Sequence, residues 1–377
     1  MPPLPETILQ FGSGRFLRAF ADLFVSQANA EGQAIGRIVV VQSTGDGRAS
    51  GLNAQGSKYH VVVRGYEAGQ VVDRVEVCNS ISRALHAGTQ WDEVLKVARS
   101  PDLHTILSNT TEAGYKLDGD LPTDAVPKSF PAKLLAVLRA RFQADQSLPT
   151  VIPCELIEGN AGLLKQVVLD LAAVWNEPIL FREWLLAVPF LHTLVDRIIT
   201  GTPADHPLLA TDPMVLVAEP FAFWALEGHP ESRFKLQHPA LTRTADVRPY
   251  FLRKVRILNA AHTALLIKAK PRGFTIVRDA VNDPELGAWL QRLLNEEIVP
   301  TLEGRVEGAK RFAEQTVERF KNPFLDHKFS DIALQHESKM KVRLVPTAAE
   351  YAAKFGREPP LLTEVLRAGQ GSSEPAA

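Results

Sequence analysis

Residues 7–24 read TILQFGSGRFLRAFADLF, and this stretch decides the fold. An apolar run ends at Phe11, Gly12-Ser13-Gly14 follows, and apolar residues then recur with the period of an amphipathic helix. A strand, a glycine turn and a helix form the first unit of a dinucleotide-binding fold. The first glycine permits the tight turn and the second lets a pyrophosphate approach the backbone. The helix N-terminus then offers N–H groups to the phosphates.

The glycine turn alone is a weak signal, because the third glycine of the G-x-G-x-x-G pattern is replaced by Leu17. An ordinary loop is the alternative. Later segments support the nucleotide-binding interpretation. Residues 37–41, Arg-Ile-Val-Val-Val, are typical of a strand buried on both faces of a parallel sheet, and residues 105–108 and 150–154 predict further strands. We therefore expect an α/β Rossmann-like N-terminal domain.

The end of the second predicted strand lacks the acidic residue that usually binds the adenosine ribose. The chain continues there as residues 42–48, in which Asp46 could reach a 2′-hydroxyl and Arg48 a 2′-phosphate. Both residues also fit an ordinary turn. The residues themselves therefore leave NAD and NADP open.

The predicted domain junction is residues 246–250, Asp-Val-Arg-Pro-Tyr, because the pattern after it is persistently helical. We predict a nucleotide-binding domain over residues 1–245. A mainly α-helical substrate and catalytic domain is predicted over residues 246–377, with a short disordered tail from Gly369. The 377 residues are ample for two domains.

Composition restricts the class of protein. The chain is 45% hydrophobic and 23% charged, which is ordinary for a globular protein. Its net charge of −1 gives no general electrostatic reason to bind nucleic acid or an anionic membrane. With 2 cysteines, no signal-peptide pattern and no long apolar run, the sequence predicts a cytoplasmic protein without a membrane span. We expect a monomer or a small homo-oligomer.

The first helix predicted after the junction contains Lys254, Asn259 and His262. At about 100° per residue, an α-helix places the three side chains on one broad face. A lysine in a dry cleft can act as a general base, and an asparagine N–H can stabilise developing negative charge. An ordinary amphipathic helix, whose lysine reaches solvent, explains the same pattern.

Five ordered motifs make the sequence similar to the mannitol dehydrogenase family of metal-independent polyol and hexonate dehydrogenases. They are residues 12–19, 108–115, 195–198 and 218–221, and Lys254-x4-Asn259-x2-His262. Within the family, residues 108–114, 129–134, 152–157 and 193–201 most resemble the tagaturonate reductases (altronate oxidoreductases). The resemblance implies NAD-dependent hydride transfer between a keto-hexuronate and a hexonate, with NADP as the alternative cofactor. It also implies that members usually extend further at the C-terminus, so we expect a small second domain.

The resemblance implies a role for each candidate site residue. Lys254 is the general acid/base, Asn259 and Asn160 hold the oxyanion, and His262 orients the substrate or the lysine. Asp196 shapes the substrate site, with a structural pair to Arg197 as the alternative. His327, Lys339 and Arg343, on a stretch predicted to be helical, are candidates for holding the substrate carboxylate, although such charges usually form a solvated face. The candidate cofactor-binding residues are Gly12, Ser13, Gly14, Arg15, Phe16, Asp46, Asn109, Thr110, Thr111 and Glu112.

Three other functions fit parts of the same sequence less well. The nearest alternative is a polyol dehydrogenase of the mannitol/fructose or arabinitol/xylulose type, which needs no carboxylate clamp. A nucleotide-binding regulator without turnover is another, and the set Lys254, Asn259 and His262 argues against it. A zinc dehydrogenase is rejected because the cysteines have no metal-ligand spacing, so no metal is expected. The histidines that could serve as zinc ligands are also scattered along the chain, at His192, His206, His229 and His238.

Overall fold

The computed structural model describes residues 3–45, 47–67, 69–110, 113–203, 206–334 and 336–371. The chain divides into two compact units. The first unit comprises Met1–Val63, Arg74–Ala218 and Ala222–Val247, and the second comprises Arg64–Asp73, Glu219–Phe221 and Arg248–Ala377. Three predicted cofactor-binding residues, Asp46, Thr111 and Glu112, lie outside the described residues.

A five-stranded parallel sheet forms the centre of the first unit. The strands are, in chain order, β1 (Glu6–Phe11), β2 (Arg37–Gln42), β3 (Tyr59–Glu67), β4 (Gln70–Cys78), β5 (Ile81–His86), β6 (Thr105–Ser108), β7 (Thr150–Pro153), β8 (Thr193–Asp196), β9 (Ile199–Gly201), β10 (Leu216–Ala218), β11 (Phe223–Glu227) and β12 (Leu241–Thr244). The parallel sheet has the order β5-β2-β1-β6-β7. Renumbered within this sheet, the order is 3-2-1-4-5, as in Rossmann folds, and it reverses between β1 and β6. The predicted Rossmann-like domain is confirmed.

The apolar run of β2 is explained by burial on both faces of the sheet. Ile38 and Val40 belong to one hydrophobic core, and Val39 and Val41 belong to another. Successive side chains of a strand point to opposite faces, so a strand covered on both sides has no polar alternation.

Two smaller sheets complete the strands, with the orders β4-β3-β10-β9 and β12-β11-β8. Strands β3 and β4, which follow one another in the chain, are neighbours in the first of these sheets. Strand β10 begins at Leu216 and pairs with β3 in parallel.

The helix predicted to follow the glycine turn is broken in two. The helices of the first unit are α1 (Arg15–Arg18), α2 (Ala21–Ala30), α3 (Arg48–Ala54), α4 (Trp91–Ala98), α5 (Phe130–Gln143), α6 (Asn160–Val174) and α7 (Ile179–Ala187). Phe20, at φ −132° and ψ −99°, lies between α1 and α2, so the prediction of one continuous helix was wrong. Its ring still packs against those of Phe16 and Phe24, at centroid distances of 4.9 and 4.7 Å.

The second unit is mainly helical, as predicted. Its helices are α8 (Arg248–Arg253), α9 (Ala260–Ala269), α10 (Val277–Asn282), α11 (Pro284–Arg292), α12 (Val299–Leu302), α13 (Ala309–Phe320), α14 (Phe329–Ala333), α15 (His336–Arg343), α16 (Val345–Phe355) and α17 (Pro360–Gly371). Helix α9 is mostly apolar and is buried except at Lys268, which is typical of a helix at the centre of a bundle. Residues 369–371, predicted as disordered tail, end α17 instead, while residues 372–377 lie outside the described residues. Within the described ranges, no helix is long and apolar enough to cross a membrane.

Candidate active site

The glycine turn lies at the point where the strand order reverses. Gly12 follows β1 with φ of 120°, and a β-carbon there would lie 2.6 Å from the carbonyl oxygen of Asn109. The N–H of Gly12 donates to the Val41 carbonyl at 3.1 Å, and the N–H of Asn109 donates to the Phe11 carbonyl at 3.0 Å. Only glycine fits this conformation and this close approach.

The predicted cofactor-binding residues 13–16 differ in how much of the turn's backbone they leave open. Gly14 precedes α1 with φ of −66°, and a β-carbon there would meet no described heavy atom within 4 Å. Ser13 is buried, and Phe16 packs against the core. Arg15 donates through Nη1 to the Thr200 carbonyl at 3.0 Å. The backbone around Gly14 is therefore the open part of the turn.

The loop after β2 is organised by Gln42, a residue that sequence reasoning missed. Its Nε2 donates to the carbonyls of Thr44 and Gly45, at 3.0 and 2.6 Å. Its Oε1 accepts from the N–H of Ala49 at 2.6 Å. A buried amide thus replaces the acidic residue expected at this strand end, and the only advance signal is its position as the last strand residue.

The loop after β6 is bound to a buried carboxylate, that of Glu155. The carboxylate accepts from the Thr110 N–H at 2.9 Å and from the Ser108 hydroxyl at 3.0 Å. The Asn109 side chain donates to the Cys154 carbonyl at 2.6 Å. Two predicted cofactor-binding residues, Asn109 and Thr110, are thereby held at the edge of the sheet.

Asn160 begins α6 and is buried in the first unit. Its Nδ2 lies 3.1 Å from the Pro153 carbonyl, and its Oδ1 accepts from the N–H of Ala161 at 2.8 Å. Asp196 ends β8 and is buried, and Arg197 donates to the Ala19 carbonyl at 2.7 Å. The side chain of Asn160 therefore stabilises the first unit through its hydrogen bonds, and its role as an oxyanion donor stays a prediction.

A π-helical turn covers Lys254–Asn259 in the second unit. The predicted α-helical spacing of about 100° per residue is therefore wrong at this position. In a π-helix each N–H bonds to the carbonyl five residues earlier, and single π turns inside α-helices are frequent at functional sites. Lys254 and Asn259, five positions apart, begin and end the turn, which places them closer in angle than an α-helix would.

His262 lies one turn further on, in α9, with its ring held by aromatic contacts. It stacks on Phe320 at a centroid distance of 4.0 Å and meets His327 edge-on at 4.8 Å. Among the described residues, the buried His262 Nε2 and His327 Nδ1 have no hydrogen-bond partner. Burial lowers the pKa of His262 well below its usual range, and nearby positive charges, including Lys254, act in the same direction. Its imidazole is therefore neutral at neutral pH and able to hydrogen bond.

The three predicted carboxylate-binding residues lie in the same unit as His262. His327 is in a loop, which corrects the helical prediction, and its carbonyl accepts from the Val277 N–H at 2.9 Å. Lys339 and Arg343 lie on α15 as predicted. Lys339 donates to the Ile332 carbonyl at 2.9 Å, and Arg343 Nη1 donates to the Thr263 hydroxyl at 3.2 Å.

A buried ion pair that the sequence did not indicate lies beside the histidine pair. Arg319 donates to both carboxylate oxygens of Glu219, at 2.9 and 2.7 Å, and lies over the Phe221 ring. Arg319 precedes Phe320, which stacks on His262. The motif at residues 218–221 therefore contributes to the support of α13 in the second unit.

Metal-ligating chemistry is not apparent in the described part of the chain. No group of three or more His, Cys, Asp or Glu side chains there is arranged to hold a metal ion. Cys78 and Cys154 are buried free thiols. Burial raises the pKa of Cys78 to about 12 and raises that of Cys154 as well, so neither is a reactive thiolate.

The parallel sheet with its glycine turn, together with the helical unit that carries Lys254, defines a two-domain oxidoreductase of the Rossmann type. The chain matches the models of the mannitol dehydrogenase Rossmann domain over residues 6–242 and of the mannitol dehydrogenase C-terminal domain over residues 246–368. It therefore belongs to the mannitol dehydrogenase family and is a dehydrogenase acting on CH–OH groups.

Curated relatives and solved structures agree with this assignment. The altronate oxidoreductase of Halalkalibacterium halodurans is 39% identical over 97% of this chain and 74% of the relative. That of Bacillus subtilis is 39% identical over 94% of this chain and 77% of the relative. A substrate-free D-sorbitol dehydrogenase structure has a TM-score of 0.84 at 25% identity, covering 98% of this chain and 80% of that one. The Pseudomonas fluorescens mannitol 2-dehydrogenase complex with NAD and D-mannitol has a TM-score of 0.82 at 24% identity, covering 97% and 78%.

Proposed function

We propose that this protein interconverts a keto-hexuronate and a hexonate, of the tagaturonate and altronate type, by nicotinamide-dependent hydride transfer. The observation that carries the proposal is the 39% identity over 97% of the chain to an altronate oxidoreductase. The residues of each unit support the reaction type independently. The first unit supplies groups for a nucleotide, and the second supplies groups for proton transfer.

The proposed cofactor is a nicotinamide dinucleotide, with NAD as the first candidate and NADP as the second. Gly12 keeps the turn free of a side chain, and Gly14 leaves open space beside its backbone, which suits a pyrophosphate. When bound, the nicotinamide supplies or accepts the hydride. Arg48 is exposed at the start of α3 and is the cation that a 2′-phosphate would favour.

Proton transfer is proposed for Lys254. During oxidation its neutral Nζ takes the hydroxyl proton of the hexonate while the hydride leaves the same carbon, and reduction of the ketone reverses both transfers. Asn259 and Asn160 are proposed to donate to the oxygen that gains negative charge. His262 is proposed to orient the substrate through its Nε2, which has no hydrogen-bond partner among the described residues. A neutral imidazole can make this hydrogen bond without delivering a proton.

Substrate recognition is proposed to depend on cations of the second unit. Arg343 is the preferred carboxylate partner because its planar guanidinium can bind both oxygens. Lys339 and His327 add positive or donor groups from α15 and the loop before α14. Asp196 is proposed to bind sugar hydroxyls. The partner is thus a small sugar acid, with a polyol as the alternative, and the protein is proposed to be a monomer or small homo-oligomer.

A substrate panel with both reduced cofactors tests the proposal. Purified protein is mixed with NADH or NADPH and with tagaturonate, fructuronate, fructose or xylulose, and the loss of reduced-nicotinamide absorbance is followed. We expect tagaturonate to have the largest kcat/KM. Turnover of fructose or xylulose without tagaturonate would establish a polyol dehydrogenase. Nucleotide binding without turnover of any hexuronate or polyol would favour a regulatory protein.

A further inference from the structure

Glu155 is a buried carboxylate that the proposed chemistry does not use. It lies two residues after the end of β7 and is 3% exposed. Burial raises the pKa of Glu155, and hydrogen bonds from its neighbours oppose that effect. A buried acidic group costs free energy unless donors satisfy it, so its set of partners calls for an explanation.

The side chain of Glu155 accepts hydrogen bonds from the last residue of β6 and from the loop that follows it. Oε1 accepts from the N–H and the hydroxyl of Thr110, at 2.9 and 3.1 Å. Oε2 accepts from the hydroxyls of Ser108 and Tyr115, each at 3.0 Å. An ionised carboxylate has about four acceptor positions, and four donors occupy them. The loop is therefore fastened at both of its described ends, on either side of residues 111–112.

The main chain of the same residue supports Asn160. The Glu155 carbonyl accepts from Asn160 Nδ2 at 3.2 Å. Thr193 also bonds to this amide, through its N–H to Oδ1 at 3.3 Å and through its carbonyl, which accepts from Nδ2 at 3.3 Å. Glu155 thus joins the loop that carries Asn109 and Thr110 to the residue proposed as an oxyanion donor.

We propose that Glu155 is a positioning residue, whose carboxylate holds Ser108, Thr110 and Tyr115 in place for the nicotinamide nucleotide and fixes them relative to Asn160. This inference rests on the proposed function, because it assumes that a dinucleotide binds at this edge of the sheet. The donors of Thr110 are spent on Glu155, so Thr110 contributes through the shape of the loop. The proposed role of Glu155 involves no contact with substrate or cofactor.

Two substitutions of similar size separate hydrogen bonding from packing. Glu155→Met removes both acceptors and leaves the Thr110 N–H unsatisfied. Glu155→Gln keeps one acceptor for Thr110, and its amide can donate to the Ser108 or Tyr115 hydroxyl, which can turn to accept. Glu158→Gln is the matched control, because Glu158 is exposed in the segment between β7 and α6 that also contains Glu155.

The test measures NADH affinity by fluorescence titration and steady-state kinetics with the best substrate of the panel. We expect Glu155→Met to weaken NADH binding by about tenfold or more, which is the effect of losing hydrogen bonds to a charged group. The KM for NADH should rise while kcat at saturating NADH stays within about threefold. Glu155→Gln should restore affinity to within about threefold of the wild type, and Glu158→Gln should match the wild type. A merely structural role would reduce the amount of active protein and leave the KM for NADH unchanged.

Wild-type NADH affinity in folded Glu155→Met would overturn the inference. If Glu155→Met does not fold, the double variant Ser108→Ala/Tyr115→Phe removes both donors to Oε2 and keeps the carboxylate. An unchanged NADH affinity in that variant would overturn the inference equally. A wild-type protein that binds neither NADH nor NADPH would instead contradict the proposed function, so the two failures are distinguishable.

Discussion

The α-carbon of Gly12 faces the carbonyl of Asn109 so closely that a β-carbon would lie 2.6 Å from that oxygen. The contact joins the ends of β1 and β6, where the strand order reverses. In open α/β sheets, this is where ligands bind. The first glycine is therefore required by the fold itself, whereas Gly14 has open space beside it.

Alanine at the two glycines should separate folding from cofactor binding. Gly12→Ala combines a positive φ with a backbone clash, so we expect a lower melting temperature and loss of NADH binding. Gly14→Ala has φ of −66° and no steric conflict with the described residues, so we expect a wild-type melting temperature. Its methyl group should still hinder the pyrophosphate and weaken NADH binding by about tenfold.

Thermal unfolding and NADH titration of both variants check this prediction. Full NADH affinity in Gly14→Ala would show that the pyrophosphate does not approach this backbone. A stable Gly12→Ala protein would show that the ends of β1 and β6 can separate without cost.

Lys254→Met should abolish turnover and preserve NADH binding. Removing a general base typically lowers rates by about 10²–10⁴-fold, and Lys254 lies in the second unit, away from the glycine turn in sequence. Lys268→Met is the matched control, because Lys268 is on α9 and pairs with Glu364 at 2.6 Å. Stopped-flow or steady-state rates with tagaturonate provide the measurement.

Two outcomes contradict that assignment. A near-native kcat in Lys254→Met at neutral pH would exclude the lysine as the base. An equal loss of rate in Lys268→Met would show that the effect arises from disturbing the helix bundle.

The sequence was sufficient for the features that depend on local pattern. The apolar run of β2, the glycine turn and the persistent helices after residue 247 each follow from a backbone preference or a burial pattern. These signals lie within short windows, so one sequence is enough to read them. The parallel sheet then follows because each strand is joined to the next by an intervening crossover.

The missed features depend on residues far apart in the chain. Glu155 meets Ser108 and Tyr115 only because β6 and β7 are neighbours, and His262 meets Phe320 only after α9 and α13 pack. The π-helical turn at Lys254 was missed for another reason. Sequence periodicity assumes α-helical geometry, and a single turn with one extra residue leaves no periodic signal.

Arg343→Gln should weaken binding of sugar acids more than binding of polyols or neutral ketoses. Arg343 Nη1 donates to Thr263, whose hydroxyl donates to the Asn259 carbonyl at 3.0 Å, so the guanidinium is tied to the predicted catalytic turn. Losing a charge-assisted contact to a carboxylate should raise the KM for tagaturonate by about tenfold or more. The KM for fructose, if it is turned over, should change by less than about twofold.

Lys341→Gln is the control for that experiment, because Lys341 is exposed on the same helix. Equal losses with tagaturonate and fructose in Arg343→Gln would mean that Arg343 supports the turn and does not bind the carboxylate.

Asp22→Asn should stabilise the protein at alkaline pH. Asp22 is fully buried on α2, its Oδ2 accepts from Gln10 at 3.3 Å, and its Oδ1 has no partner among the described residues. Burial raises the pKa of Asp22 from 3.8 to about 7, with Gln10, Arg18 and Tyr59 opposing the rise. Because the folded pKa exceeds the unfolded one, the stabilising contribution of the protonated group is fully present below about pH 4 and is lost as pH rises through about 7.

The pKa difference of about three units between the folded and unfolded protein corresponds to a loss of roughly 4 kcal/mol in the free energy of unfolding between about pH 4 and pH 7. About 3 kcal/mol of this loss falls between pH 5 and pH 8. The asparagine cannot ionise, so the free energy of unfolding of Asp22→Asn relative to wild type should increase by that amount between these pH values. Urea unfolding at both pH values measures it, with Asp170→Asn, at an exposed position on α6, as the control. The prediction fails if the free energies of unfolding of Asp22→Asn and wild type differ by the same amount at pH 5 and pH 8. That result would show that Asp22 does not change its protonation with folding, and that the folded protein stabilises the buried carboxylate in its ionised form.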